Sequence, residues 1–392
     1  MTEPISDYFA RAAVELPSLA ELEAAPGRLS ALSEMIGDAR IVAIGESFHH
    51  THEQLKLREH LVRYLVSQLG FNSILPEVVT PGLNPIDAYV RGGAGDAESA
   101  LIAAGARMWR NAETAALVRW LRGHNETHLD APVKVQGLDM LAIGSLMRAV
   151  VTETRPEGWE RIEALSCGFD IDGRADQAAY NQLSPEDRAM LHQIFTAADP
   201  NSEAVLVVRA ALEMLKAGAE GWTKGFALRD RAMADAASRL IDRFGADAKV
   251  IILSHNTHIA AAASITEPIH KPMGALLRQR YGAVYFALGT AFGRARFDPP
   301  IYGVGEFAGE PSCADQAIAQ LGYATALVDL RGAEQAQALR LQGVGVELLP
   351  YTEYPSLAAF DALAYVDQIT NARQLVETEL GLDAKAVDAT RR

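Results

Sequence analysis

The sequence predicts an α/β fold: a mostly parallel sheet flanked by helices, with a helical insertion covering the carboxyl ends of the strands. Three observations predict it. Short apolar runs alternate with long stretches of helical periodicity, the order of repeated βαβ units. Several runs are continuously apolar and β-branched instead of alternating in polarity, as strands covered on both faces are. The stretch from about Val150 to Gly225 is helix-rich with no clear strand, which marks it as an insertion. The expectation is one α/β domain over residues 1–392, its core at about 35–375, with the insertion at 150–225.

In chain order, Arg40–Gly45 (RIVAIG), Ser73–Val78 (SILPEV), Val133–Gly137 (VKVQG), Lys249–Ser254 (KVIILS) and Val284–Gly289 (VYFALG) read as buried strands. Ala324–Asp329 (ATALVD) and Asp361–Val366 (DALAYV) follow as later ones. The clearest helix is Glu53–Leu69, where Leu55, Leu61, Val62, Leu65, Val66 and Leu69 recur at helical spacing and Gly70 supplies the stop. Arg119–Arg122, Arg229–Phe244 and Leu276–Arg280 belong to further helices.

Composition narrows the function classes. Hydrophobic residues make up 49% and charged residues 22%, which excludes a disordered chain or a coiled coil. Lys and Arg number 36 against 50 Asp and Glu, a formal charge of −14. An acidic chain lacks the electrostatic footprint of a nucleic-acid binder and is repelled by anionic membranes. No segment approaches 18 uninterrupted apolar residues, so no transmembrane span is expected. Neither Cys167 nor Cys313 stands in a CxxC pair, which argues against a zinc finger or a disulfide framework. The acidic N-terminus carries no apolar h-region, so no secretory signal is read and a cytoplasmic location is expected.

Open parallel sheets bind ligands beyond the carboxyl ends of their strands. The polar residues following these strands are Gly45-Glu46, Glu77, Asp139 and Ser254-His255. Behind the first strand stands Glu46-Ser47-Phe48-His49-His50-Thr51-His52-Glu53. Five of the ten histidines, at 49, 50, 52, 255 and 258, fall in two strand-end segments. Imidazole titrates near neutrality and suits proton transfer there. Arg58 lies within the apolar stripe of its helix, so it should be partly buried and need an anion. Glu46 and Glu77 are the expected partners. Glu77 itself interrupts an apolar run, which aims it at a site or at a partner. In Ser254-His255-Asn256-Thr257-His258, Ser254 or Asn256 is the expected helix cap, and HxxH is a spacing that metal sites also use.

No GxSxG elbow, Walker-A loop, strand-borne GxGxxG or HExxH is present. An ordinary serine hydrolase, a P-loop NTPase and a zincin are therefore disfavoured.

Taken together, these residues resemble the erythromycin esterase family. The resemblance is carried by Gly45-Glu46-x-x-His49-x-x-x-Glu53, Arg58, Gly70-Phe71 and Glu77. It continues through Trp109-x-Asn111-x-Glu113, Trp120-Leu121-Arg122, Gly137-Leu138-Asp139, Arg229-Asp230 with Met233-Ala234, and His255-Asn256-x-His258. It ends at Phe360-Asp361-Ala362-Leu363, so that it spans about residues 40–370 in order. It implies hydrolysis of a carboxylic ester, in the best-known members the macrolactone of erythromycin-type antibiotics, which is an antibiotic-resistance activity. By position His49 matches the family's essential histidine, the general base for water. Glu46, Glu77 and Arg58 match its polar shell, and His255 and His258 its second histidine segment. Phe48 and His50 depart from a common form of the motif, with Thr and Gly in many members, and both flank His49, so the pocket beside the base is expected to be reshaped.

On that reading Glu46 or Glu77 orients His49, while Arg58 and His255 supply charge or donors to the oxyanion. His258 serves the substrate's leaving group or supports His255. Phe48, Trp109, Met108 and Trp222 are candidate walls of an apolar cleft. The partner is a small-molecule ester, and neither cofactor nor metal is called for. Two other readings use the same residues. One is a metal-dependent hydrolase with ligands among Glu46, His49, Glu77, His255 and His258. The other is a non-catalytic binder of iron, haem or another small ligand.

Overall fold

The computed structural model describes residues 5–79, 84–104, 107–141, 143–169, 173–265, 270–331, 339–342, 351–354 and 359–375. Its strands are β1 (Ala13–Glu15), β2 (Ile41–Ile44), β3 (Ser73–Pro76), β4 (Lys134–Val135), β5 (Val250–Leu253), β6 (Tyr285–Ile301), β7 (Val304–Ala308), β8 (Thr325–Asp329), β9 (Leu339–Gln342), β10 (Tyr351–Tyr354) and β11 (Ala362–Ile369). A nine-stranded sheet runs β1-β8-β11-β6-β2-β5-β3-β4, with β7 on β6, and β9 and β10 form a separate pair. From β11 through β6, β2, β5 and β3 to β4 every neighbour is parallel. β1, β8 and β7 join antiparallel. The predicted mostly parallel α/β sheet is therefore present.

Alternation along each strand splits the core into two layers. Ile41 and Ala43 of β2 face helices Glu203–Gly218, Trp222–Phe244 and Met273–Tyr281, through Val208, Leu212, Met233, Ala237 and Leu277. Val42 and Ile44 face helices His52–Leu69 and Ala112–Thr127, through Leu57, Leu61, Leu65, Val118 and Leu121. Because both faces are covered, the parallel strands read as unbroken apolar runs.

All seven sequence-predicted strands form, most of them a residue or two shorter than expected at their ends. β11 runs three residues further than expected, to Ile369, and β6 further still, to Ile301 where the sequence reading stops at Gly289. Beyond Phe292 its residues alternate exposed and buried, Arg294, Ala295, Arg296, Phe297, the mark of a half-covered strand paired with β7. β1, β7, β9 and β10 escape the sequence reading; β1 and β7 lie at margins of the large sheet, and β9 and β10 lie outside it.

The helix beginning at His52 ends as predicted. Gly70 takes φ 72 and its N–H reaches the carbonyls of Leu65 and Val66, a left-handed stop that glycine adopts without strain. Between Val150 and Gly225 the described residues form helices and no strand. Ser184 and Ser202 cap two of these helices, accepting from the backbone N–H of Asp187 and Val205. Among the described residues no helix is long and apolar enough to cross a membrane.

Candidate active site

Strand order assembles the site. β5 lies between β2 and β3, with β4 beyond. The segments leaving these strands at their carboxyl ends bring Glu46 and His49, His255 and His258, Glu77, and Asp139 side by side.

The loop after β2 is fixed from two sides. A Cβ on Gly45 would lie 1.9 Å from Asn256 Oδ1, so only glycine fits against that amide. Asn256 in turn clasps Thr290 of β6, accepting from its N–H at 3.0 Å and donating to its carbonyl at 2.8 Å. On the other side Gln54 accepts from the N–H groups of Ser47 and Phe48, at 3.2 and 3.3 Å. Its Nε2 donates to Ser47 Oγ at 2.5 Å.

Within this frame Glu46 Oε1 lies 3.5 Å from His49 Nδ1, and Oε2 accepts from Arg58 Nη1 at 3.0 Å. Arg58 is 5% exposed and stacks over Trp109 at 5.0 Å. Its helix-stripe position therefore led to a buried cation, as the spacing predicted. Of its two expected partners it takes only Glu46. Glu77, just past the end of β3 and two strands along the sheet, is claimed by Arg229 of helix Trp222–Phe244.

Around Arg229 every bond is made. Its Nε and Nη2 donate to the two oxygens of Asp139 at 3.0 and 2.7 Å, and Nη2 also donates to Glu77 Oε1 at 2.6 Å. Nη1 contacts His258 Nε2 at 2.9 Å. Guanidinium only donates, so that nitrogen accepts and Nδ1 carries the proton given to Asp230 Oδ1 at 2.8 Å. Asp230 also holds His270 Nε2 at 2.5 Å and the N–H of Met273 at 2.8 Å. The second oxygen of Glu77 accepts from Ser254 Oγ at 2.5 Å and from the N–H of His255 at 2.9 Å.

His255, not Ser254 or Asn256, caps the short helix Asn256–Ile259, its Nδ1 accepting from the N–H of Thr257. The expected caps are consumed elsewhere, Ser254 by Glu77 and Asn256 by Thr290. With Nδ1 an acceptor, Nε2 of neutral His255 bears hydrogen, and this buried atom has no partner. The His255 ring lies 4.8 Å from that of His49.

The electrostatics follow from the neighbours. Burial works against a charge on Glu46, yet Arg58 and then His49 overcome it and hold the carboxyl down to about 2. Burial likewise opposes charge on His49, but the Glu46 carboxylate, with Glu77 behind it, keeps the imidazole above its usual value. His255 is pushed down to about 3 by burial and by His49, so it stays neutral. Burial works against a charge on Glu77, yet the Arg229 guanidinium outweighs it and holds the carboxyl well below the carboxylate range.

The expected cleft walls separate. Trp109 packs over Arg58, and with Ile74, Pro76 and Leu253 it lines an apolar cavity behind the site. Met108 is half-buried against the same layer. Phe48 is 1% exposed among Phe292, Phe297 and Tyr302. It faces the core and not an open cleft, because Gln54 and Thr51 turn the loop so that Phe48 points into the aromatic cluster beside β6. Trp222 stacks near Phe226, whose ring lies 5.0 Å from His258. His50 takes φ 63, the left-handed region where glycine is unstrained, which gives a physical reason for glycine at this position.

The sequence reading left Arg229, Asp139, Asp230 and His270 without a role in the site. The same signal that exposed Arg58 was available for Arg229, which shares a helical stripe with Met233, Ala237 and Leu240. His270 offers no such pattern. Among the described residues no group of three or more His, Cys, Asp or Glu is arranged to hold a metal ion.

The chain is thus an α/β protein with a polar centre of paired carboxylates, arginines and histidines at the carboxyl ends of its parallel strands. Residues 66–369 match the erythromycin esterase family, and the chain belongs to it. It is 23% identical to an Escherichia coli protein described as erythromycin esterase type II over 296 residues, 66% of this chain and 70% of that one. Its fold is shared with a Bacillus cereus protein of solved structure (TM-score 0.75, 20% identity, 95% of this chain and 98% of that one). It is shared also with a protein described as a succinoglycan biosynthesis protein (TM-score 0.76, 18% identity, 94% and 97%). A third match is a mutant erythromycin esterase, EreC, in its open conformation (TM-score 0.70, 17% identity, 92% and 98%).

Proposed function

We propose that this protein hydrolyses a carboxylic ester, a macrolactone of the erythromycin type, by direct attack of water with His49 as general base. The observation that carries this is the facing pair of imidazoles. His49 is held on one side by an ionised Glu46, and its ring lies 4.8 Å from that of His255, whose buried Nε2 has no partner.

Glu46 only accepts, so His49 presents Nδ1–H to it and keeps the Nε2 lone pair for water. As water attacks the carbonyl carbon, its proton passes to His49 Nε2 and the carbonyl oxygen becomes an oxyanion. The Nε2–H of neutral His255 donates to that oxygen, an interaction that strengthens as charge develops. Glu46, fixed by Arg58, stabilises the imidazolium. When the tetrahedral intermediate collapses, His49 returns the proton to the departing alkoxide, leaving an acid and an alcohol on one opened ring. The two nearby serines are committed to other bonds, Ser47 to Gln54 and Ser254 to Glu77, which supports direct hydrolysis without an acyl-enzyme. Arg229, itself fixed by Asp139 and His258, holds Glu77 and thereby the His255 backbone. The 150–225 helices, joined to the site through the helix bearing Phe226, cover the cleft on this reading.

Mass spectrometry of the protein incubated with macrolides and simple lactones tests the proposal. The product should gain the mass of one water. His49→Ala should lower turnover roughly 10²–10⁴-fold, the usual contribution of a general base. Undiminished turnover in that variant would exclude His49 as the base.

A further inference from the structure

We propose that the hairpin arm of β6 and β7 selects the substrate, with Tyr302 at its tip and His50 beneath it as specificity-determining residues. The proposal rests on the reading of His49 as the base.

β2 stops pairing with β6 at Leu288, but β6 continues beyond the carboxyl end of β2 to Ile301 and returns as β7. The arm therefore rises from the side of the sheet where the site lies. Its tip, Tyr302-Gly303, comes back onto the loop after β2, with the Tyr302 ring 6.2 Å from both Phe48 and His50. His50 is 6.4 Å from His49, and His49 is 4.8 Å from His255. Four rings thus form a row, from buried His255 (6% exposed) through His49 and His50, both half-buried, to Tyr302 at 43% exposed. The row connects the reacting centre to solvent.

Its outer half is held firmly. His50 and Tyr302 both adopt left-handed backbone conformations, φ 63 and φ 50, which a non-glycine residue keeps only where its surroundings enforce it. The segment after β11 supplies that enforcement. Ala372 N–H donates to His50 O at 2.7 Å, and His52 N–H to Thr370 O at 2.8 Å. On the arm side, Asn371 accepts from the Asp298 N–H at 2.8 Å and donates to Pro299 O at 2.9 Å. Three consecutive residues therefore stitch the catalytic loop to the arm. His50 Nδ1 is buried and has no partner, a polar atom left over beside the base. A flat ring at the mouth and an imidazole with a spare nitrogen further in suit an ester with a large apolar body carrying scattered hydroxyl or carbonyl oxygens. The body would lie along the rings while its carbonyl reaches His49.

The test compares kcat/KM for erythromycin with that for δ-valerolactone, a small lactone, in the wild-type protein and in Tyr302→Ala, Tyr302→Phe and His50→Gly, each checked for folding by its melting temperature. Tyr302→Ala should lower the ratio of large to small substrate roughly tenfold or more, chiefly through KM for the large one. Tyr302→Phe should restore most of it, and His50→Gly should lower it even if the protein becomes more stable. An unchanged ratio in both Tyr302→Ala and His50→Gly, with turnover still abolished by His49→Ala, would overturn the selection role alone. Cleavage of neither lactone by the wild-type protein would overturn the esterase reading and this inference with it.

Discussion

Two clusters share the carboxyl end of the sheet and are built on opposite terms. Around Arg229 the polar atoms are saturated: Glu77, Asp139 and His258 all bind its guanidinium and Asp230 binds His258, at 2.6–3.0 Å, while His270 and the Met273 N–H close the outer edge on Asp230. Around His49 they are not. The Glu46 contact is a loose 3.5 Å, and His255 Nε2 and His50 Nδ1 are buried without partners. A saturated network fixes geometry, because any displacement breaks several bonds together. Unfilled hydrogen-bonding capacity is costly to the resting fold and useful only if something arrives to fill it. On the proposed function, the contrast separates scaffold from reaction centre within a few residues of sequence: His255 belongs to the open cluster and His258 to the closed one.

That division is exposed to test. Arg229→Met should be the most damaging to stability, by about 3–5 kcal/mol, since it leaves two buried carboxylates without their cation; chemical denaturation would measure it. His255→Ala should do the reverse, lowering kcat roughly 10²–10³-fold through the lost oxyanion donor while costing only about 0.5–2 kcal/mol of stability through the lost helix cap. A loss of stability in His255→Ala comparable to that of Arg229→Met would break the comparison, because His255 would then be scaffold as well.

A finer test is the pH profile. His49 must be neutral to accept a proton, and Glu46 holds its pKa above the usual imidazole value. In the wild-type protein kcat/KM should therefore rise with pH through an inflection above about 6.5. Glu46→Gln removes the anion and leaves the burial, which favours the neutral ring, so the inflection should move to lower pH while the plateau falls. An inflection that stays in place would show that Glu46 does not act on His49.

Much of this was legible in the chain. Continuous β-branched runs exposed the parallel strands, since strands covered on both faces have no polar side to show. Arg58 was visible because a cation in an apolar stripe is an anomaly wherever it occurs, and Glu46, Glu77, His49 and His255 were visible because they follow strands. β1 escaped because three residues at a sheet margin carry too little pattern. The outer half of β6 escaped because its polarity alternates, unlike the buried strands that the reading sought.

The sequence by itself determined the class of fold, the family and the residue types at the strand ends, because periodicity and motif order are local properties of the chain. It did not determine who pairs with whom. Arg58 had two carboxylates within its expected reach, and only the order β2-β5-β3 gave Glu46 to Arg58 and left Glu77 to an arginine more than 150 positions away. The tautomer of His258 and the approach of Tyr302 to His50 were decided in the same way. Each depends on contacts between segments distant in the chain, and such contacts exist only once the sheet has placed its strand ends together.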